Sequence, residues 1–247
     1  MASGVAARRM RGTVLATIVL AHGAWSAAWA WKKLRPLMAG AGHAFFTPTY
    51  TGLGERAHLA SPDNDLETHI ADVLGVLQYE DLRDVVLLGH SYGGMVATGV
   101  ADRARERIAR LIYLDAFVPE NGQALADFWP ADERARRLAA MQAGDGWRLP
   151  PNPVPPDTAQ DDAAWVAQFR LPQSVKCFTQ PLRLSAPLTL PRGYIQCMRY
   201  AERGPFGPIA ARARAGGWPV YELDASHSPN VTAPAALMDV LQQILSR

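Results

Sequence analysis

The sequence predicts an α/β protein, a doubly wound and mostly parallel six-stranded sheet with an inserted helical cap. Three observations carry this expectation. Short, continuous apolar runs alternate with helical patterns, as in βαβ units joined by right-handed crossovers. The alternation breaks once, over residues 119–188, and then resumes. Finally, Gly89-His90-Ser91-Tyr92-Gly93 lies between an apolar run and a helical pattern, which reads as strand, sharp turn and helix. A chain of 247 residues, 49% hydrophobic, suits one such domain with an insertion. The expected division is core over 1–118, cap over 119–188 and core again over 189–247.

Residues 13–20 form the first apolar run, rich in Val, Ile and Thr, as expected of a parallel strand covered on both faces. Residues 26–38, with Trp29, Leu34, Leu37 and Met38, predict a helix ended by Gly40-Ala41-Gly42. A second strand follows at 44–47, then a polar, turn-rich stretch at 52–63. Leu66, Ile70, Val73, Leu74 and Leu77 keep the spacing of an amphipathic helix. The run from Val85 to Leu88 leads into the serine turn and its helix, and residues 108–114 make a fourth strand.

In the insertion, helical patterns at 131–141 and 158–169 flank Pro150-Pro151-Asn152-Pro153-Val154-Pro155-Pro156, which can continue neither a helix nor a central strand. Strands at 194–198 and 220–223, with helices at 208–215 and 233–245, complete the pattern.

In open α/β sheets, ligands bind at the carboxyl ends of the strands. Four such ends hold reactive or donor groups: His22-Gly23-Ala24, Ser91, Asp115 and His227. An alcohol is a weak nucleophile at neutral pH, so Ser91 needs a base. Of six histidines, His227 follows the last strand in a loop of small residues and is the one chosen. His90 is expected to point away from the serine, and His22 lies too near the first turn. His43, His58 and His69 read as solvated surface.

The imidazole needs a carboxylate to orient it. Asp115, at the end of the strand beside the serine strand, is preferred; Glu202, among arginines past the next strand, is the rival. The backbone N–H groups of Tyr92 and Ala24 are the candidate oxyanion donors. Trp25 and Trp129 are the candidate substrate-binding rings. The cap also carries Phe128, Trp147 and Trp165, a possible apolar roof, although such rings serve equally well as cap core.

Composition narrows the partners. Lys plus Arg is 25 against 23 Asp plus Glu, a net charge of +2 that gives no support for nucleic acid or an anionic membrane surface. Arg8, Arg9 and Arg11 read as a solvated tail. Cys177 and Cys197 have no metal-ligand spacing and make no disulfide framework. Residues 8–21 imitate a secretory signal, but their apolar run feeds directly into the His22 turn, so a cytoplasmic protein is expected. No run reaches the roughly 18 apolar residues that span a bilayer.

With these residues assembled, the chain resembles the α/β-hydrolase superfamily, and within it the branch of plant methylesterases, hydroxynitrile lyases and many bacterial esterases. His22-Gly23-Ala24-Trp25 with Trp29 and Trp31, Gly89-His90-Ser91-Tyr92-Gly93-Gly94, and Ser226-His227 before the last helix match that branch in order and spacing. The match covers nearly the whole chain. A first strand near residue 13 is also similar to that branch, which lacks two leading strands of larger relatives.

Two departures are informative. The branch usually carries its acid shortly after the fifth of these strands, where this chain has Arg199-Tyr200-Ala201; other superfamily members place it where Asp115 stands. Lyases of the branch use a lysine after the base and a threonine after the first histidine, where Ser228 and Gly23 occur here. The resemblance therefore implies a serine carboxylic-ester hydrolase without metal or organic cofactor, acting on a small hydrophobic or aromatic ester. A lyase on the same scaffold and a ligand-binding protein with little turnover are the rival readings. Oligomeric state is not legible in the sequence.

Overall fold

Residues 15–199, 201 and 204–246 are described by a computed structural model. The sheet strands before the excursion are β1 (Thr17–Ala21), β2 (Ala44–Phe46), β3 (Val85–His90) and β4 (Ile108–Leu114). Within the excursion lie two very short strands, β5 (Arg148–Leu149) and β6 (Gln173–Ser174). The sheet then resumes with β7 (Arg192–Cys197) and β8 (Val220–Leu223). The main sheet has six strands in the order β2-β1-β3-β4-β7-β8, all pairs parallel. β5 and β6 pair antiparallel as a separate ribbon that periodicity did not reveal.

The helices are α1 (Arg35–Gly40), α2 (Leu66–Tyr79), α3 (Gly93–Arg103), α4 (Ala131–Ala143), α5 (Gln160–Phe169), α6 (Lys176–Thr179), α7 (Phe206–Ala215), α8 (Pro229–Thr232) and α9 (Pro234–Leu245). Alternation along the strands divides the core. Val19, Leu87, Leu111 and Tyr113 face α2, α3 and α7. Ile18, Leu20, Leu88, Ile112 and Leu114 face α1 and α9. With both faces covered, all six residues of β3 are buried, which is why the strand reads as an unbroken apolar run. Each such Leu or Ile contributes about 1.5–3 kcal/mol on burial. Among the described residues, no helix is long and apolar enough to cross a membrane.

Several expectations are corrected. The helix expected over 26–38 is a 3-10 turn at Ala28–Trp31 followed by α1, because Pro36 has no N–H to give to the preceding turn and can sit only in a helix's first turn. The first strand starts at Thr17, with Leu15 and Ala16 preceding it outside the strand; residues 13 and 14, and the basic residues before them, lie outside the described residues. His43 and His69 are buried rather than solvated, at 5% and 1% exposure, whereas His58 is exposed.

The turn after β3 depends on close backbone approach. A Cβ on Gly93 would sit 1.9 Å from the Ala21 carbonyl oxygen, and one on Gly94 would sit 2.0 Å from that of Phe117. Backbone cannot yield as a flexible side chain can. Gly93→Ala is therefore expected to cost at least the upper end of the roughly 1–3 kcal/mol typical of overpacking. A melting temperature equal to wild type would contradict this.

Candidate active site

Three strand ends converge. Ser91 follows β3 directly and has φ 55°, a left-handed conformation that lifts the side chain out of the strand. Asp115 follows β4 with φ 41°, its N–H donating to the Ile195 carbonyl at 2.8 Å. Its loop is fixed further by Tyr194, whose hydroxyl donates to the Ala116 carbonyl at 3.1 Å. His227 stands in the loop between β8 and α8.

The Ser91 hydroxyl donates to His227 Nε2 at 2.9 Å, and His227 Nδ1–H donates to Asp115 Oδ2 at 2.7 Å. The second bond sets the tautomer that leaves Nε2 free to accept a proton. Asp115 is 4% exposed, and its other oxygen accepts the Cys197 N–H at 3.2 Å. The structure thus brings Ser91, His227 and Asp115 together. Glu202 lies outside the described residues.

His90 was expected to point away from the site, yet its ring centroid lies 5.1 Å from that of His227. Its Nε2–H donates to the His227 carbonyl at 2.8 Å, tethering the base loop to β3. Phe206, from the start of α7, stacks on the His227 ring at 4.6 Å and 12°. Neither contact is visible in sequence spacing, since each joins residues on separate elements.

The turn after β1 is equally constrained. His22 Nδ1–H donates to the Gly23 carbonyl at 2.9 Å, and His22 Nε2 accepts the Tyr50 N–H at 3.3 Å. Trp25 has φ 57°. Gln173 of β6 accepts its N–H at 2.9 Å, and the Leu149 carbonyl of β5 accepts its indole N–H at 3.0 Å. The ribbon in the excursion therefore clamps the turn that carries Ala24. No protein acceptor takes the Ala24 or Tyr92 N–H among the described residues.

Below this turn, His69 Nδ1 accepts the Tyr92 hydroxyl at 2.8 Å, while its Nε2–H donates to the Thr51 carbonyl at 3.2 Å. Three of these rings are held neutral. Burial lowers His22 to about 4, and His69 and His90 to about 3; neighbouring imidazoles add to the effect at the last two. Between those values and the ordinary value near 6.5, the unfolded chain binds more protons than the folded one, so stability falls as pH falls. Each pH unit over which one ring is kept from a proton corresponds to about 1.4 kcal/mol. The melting temperature should drop between pH 6.5 and 4, and His69→Gln should flatten that slope. An unchanged slope in the variant would count against a neutral His69.

A cavity of about 310 Å³ opens on Ser91 and His227, lined also by Ala24, Trp25, Trp29 and the proline stretch from Asn152 to Pro156. Trp25 is thus at the cavity. Trp129 is not part of its lining: it packs on Phe178 at 5.8 Å, with the Arg137 guanidinium 4.8 Å from its centroid. Phe128 packs on Phe117 at 5.2 Å, so these two rings belong to the packing beneath the excursion. Among the described residues, no group of three His, Cys, Asp or Glu side chains is placed to hold a metal ion.

A parallel sheet with helices on both faces and a strained serine at the turn between β3 and α3 defines a class, and the sequence comparison agrees. Residues 18–240 match the alpha/beta hydrolase family, to which the chain belongs. It is 37% identical over 239 residues to a carbendazim hydrolyzing esterase from Nocardioides sp., covering 92% of this chain and 98% of the other. It is 27% identical over 264 residues to a pyrethroid hydrolase from Sphingobium wenxiniae, covering 91% and 85%. An extracellular alpha/beta-hydrolase from a Paenibacillus species has a similar solved structure, with a TM-score of 0.80 at 25% identity over 92% and 98% of the two chains.

Proposed function

We propose that the chain is a serine carboxylic-ester hydrolase working through an acyl-enzyme. The observation that carries this reading is the unbroken path from the Ser91 hydroxyl through His227 to Asp115 at the floor of a cavity. Ser91 Oγ attacks the ester carbonyl carbon while His227 Nε2 takes its proton. The oxygen that becomes negative is met by the Ala24 and Tyr92 N–H groups, each such donor being worth roughly 3 kcal/mol of barrier. As the tetrahedral intermediate collapses, the carbon–oxygen bond to the alcohol breaks and His227 returns the proton to it. Water, deprotonated by His227, then releases the acid and regenerates Ser91. Asp115 orients the ring and balances its charge throughout.

Residues 119–188 act as the cap in this reading, since Asn152 to Pro156, Val166 and Arg170 wall the cavity. Trp25 and Trp29, which also line it, favour a small hydrophobic or aromatic ester. The 37% identity to a carbendazim hydrolyzing esterase supports ester chemistry. The partner is a small-molecule ester rather than nucleic acid. A cytoplasmic setting belongs to the same proposal, supported by two buried free thiols, Cys177 and Cys197.

Short p-nitrophenyl esters and a serine-directed organophosphonate test the reading. Turnover together with covalent loss of activity is expected. Labelling at Ser91 without turnover of any ester would favour the lyase or binding readings instead.

A further inference from the structure

The ester-hydrolase reading uses Ser91, His227 and Asp115 but leaves a cation in the same cavity without a task. Arg170, the residue after α5, lines that cavity with Trp25, Trp29 and Ser91. Its Nη1–H donates to the Asn152 carbonyl at 2.6 Å. Of the acids near it in sequence, Asp162 pairs with Lys33 at 2.6 Å and Asp157 pairs through Oδ2 with Arg199 at 3.4 Å, its Oδ1 being buried without a partner. Burial lowers the Arg170 pKa with no neighbouring acid to offset it. Its positive charge is also felt at His90, a lesser influence than burial in keeping that ring neutral.

Trp29 also lines the cavity. Trp29 Nε1–H is buried without an acceptor, its ring packed on Trp165 and Phe169 at 5.4 and 5.6 Å. Asn230, another lining residue, donates through Nδ2 to the Ala30 carbonyl at 2.9 Å, and its Oδ1 is buried without a partner. A partly desolvated guanidinium with no counter-charge is unfavourable unless something in the cavity supplies acceptor atoms. A planar donor fork suits a carboxylate above all.

We propose that Arg170 is a specificity-determining residue that binds a hydrogen-bond acceptor, most strongly a carboxylate, on the half of the ester remote from the reacting carbonyl. The inference rests on the ester-hydrolase reading and names its substrate class: esters bearing a further acceptor, such as half-esters of aromatic diacids.

Three methyl benzoates differing at the para position test it. Monomethyl terephthalate carries a carboxylate, methyl 4-acetylbenzoate a neutral acceptor, and methyl 4-isopropylbenzoate none. Each is assayed as a competitor of p-nitrophenyl acetate hydrolysis, so that Ki is read whether or not the competitor is itself turned over. Wild type should bind the carboxylate ester about 10- to 100-fold more tightly than the isopropyl ester, the range of one charge-assisted hydrogen bond, with the acetyl ester between. Arg170→Met should erase the difference, and Arg170→Lys, which keeps the charge without the fork, should restore part of it.

Equal Ki values for the three esters in wild type would overturn the proposal without touching the ester-hydrolase reading, and so would a carboxylate preference that survives in Arg170→Met. Should Arg170→Met fail to fold, the wild-type ranking and the lysine variant still decide. Absence of p-nitrophenyl acetate hydrolysis in wild type would remove the ester-hydrolase reading, and this inference with it.

Discussion

Ser91→Ala is expected to lower turnover of a p-nitrophenyl ester by about 10⁶-fold, the loss seen when the nucleophile of such a triad is removed. The size follows from chemistry. Without the hydroxyl no acyl-enzyme can form, and His227 can only act as a base toward water. Some rate above the uncatalysed reaction should survive, because the Ala24 and Tyr92 donors and the cavity remain. Substrate affinity should change little, since Ser91 contributes little to binding the ground state. The organophosphonate should leave no adduct on the variant. An alanine also relieves no packing strain, so its melting temperature should stay close to wild type. A loss of only about tenfold would mean that another nucleophile performs the reaction, since removing a true one costs far more.

Asp115→Asn should be the next most damaging change, at about 10⁴-fold in turnover. Asparagine fits the same space, but its amide can present an N–H to His227 Nδ1. That drives the ring toward the tautomer with the proton on Nε2, the wrong side for accepting one from Ser91, where the present bond is 2.9 Å. Asp115 also accepts the Cys197 N–H, so some loss of stability should accompany the loss of rate. Glu202→Gln, by contrast, should stay close to wild type. If the ranking is reversed, the acid has been misassigned, and Asp115 would be a structural partner of a ring oriented by something else.

What was legible in the sequence follows from which physical constraints are local. The β3 turn can be read because glycine is required on both sides of Ser91 and because a strand buried on both faces must be uniformly apolar. Asp115 and His227 can be proposed because a parallel sheet delivers its strand ends to one edge, whatever the loops do. The preference for Asp115 over Glu202 rests on its place at a strand end, on the arginines beside Glu202 and on the resemblance; the structure adds a 2.7 Å contact from His227 to Asp115.

Non-local contacts were not legible. Gln173 lies 148 residues from the Trp25 N–H it accepts, and Arg170 reaches the cavity from a region without sheet periodicity. His69 reads as a polar residue on an amphipathic helix, yet its two ring nitrogens are satisfied by Tyr92 and Thr51, so it is buried. A histidine whose partners lie on other elements looks the same in sequence as one facing water. Trp129 shows the converse. An aromatic residue in the excursion suggests a substrate wall, but packing on Phe178, itself part of the core that includes Val19 and Leu87, places that ring in the packing instead.

Acid-quenched mass spectrometry during turnover of p-nitrophenyl acetate is the most direct examination of the mechanism. One acetyl group should appear on the protein, map to the peptide containing Ser91, and vanish in Ser91→Ala. Hydrolysis that proceeds with the acetyl group on another residue, or undiminished in Ser91→Ala, would contradict nucleophilic catalysis by Ser91.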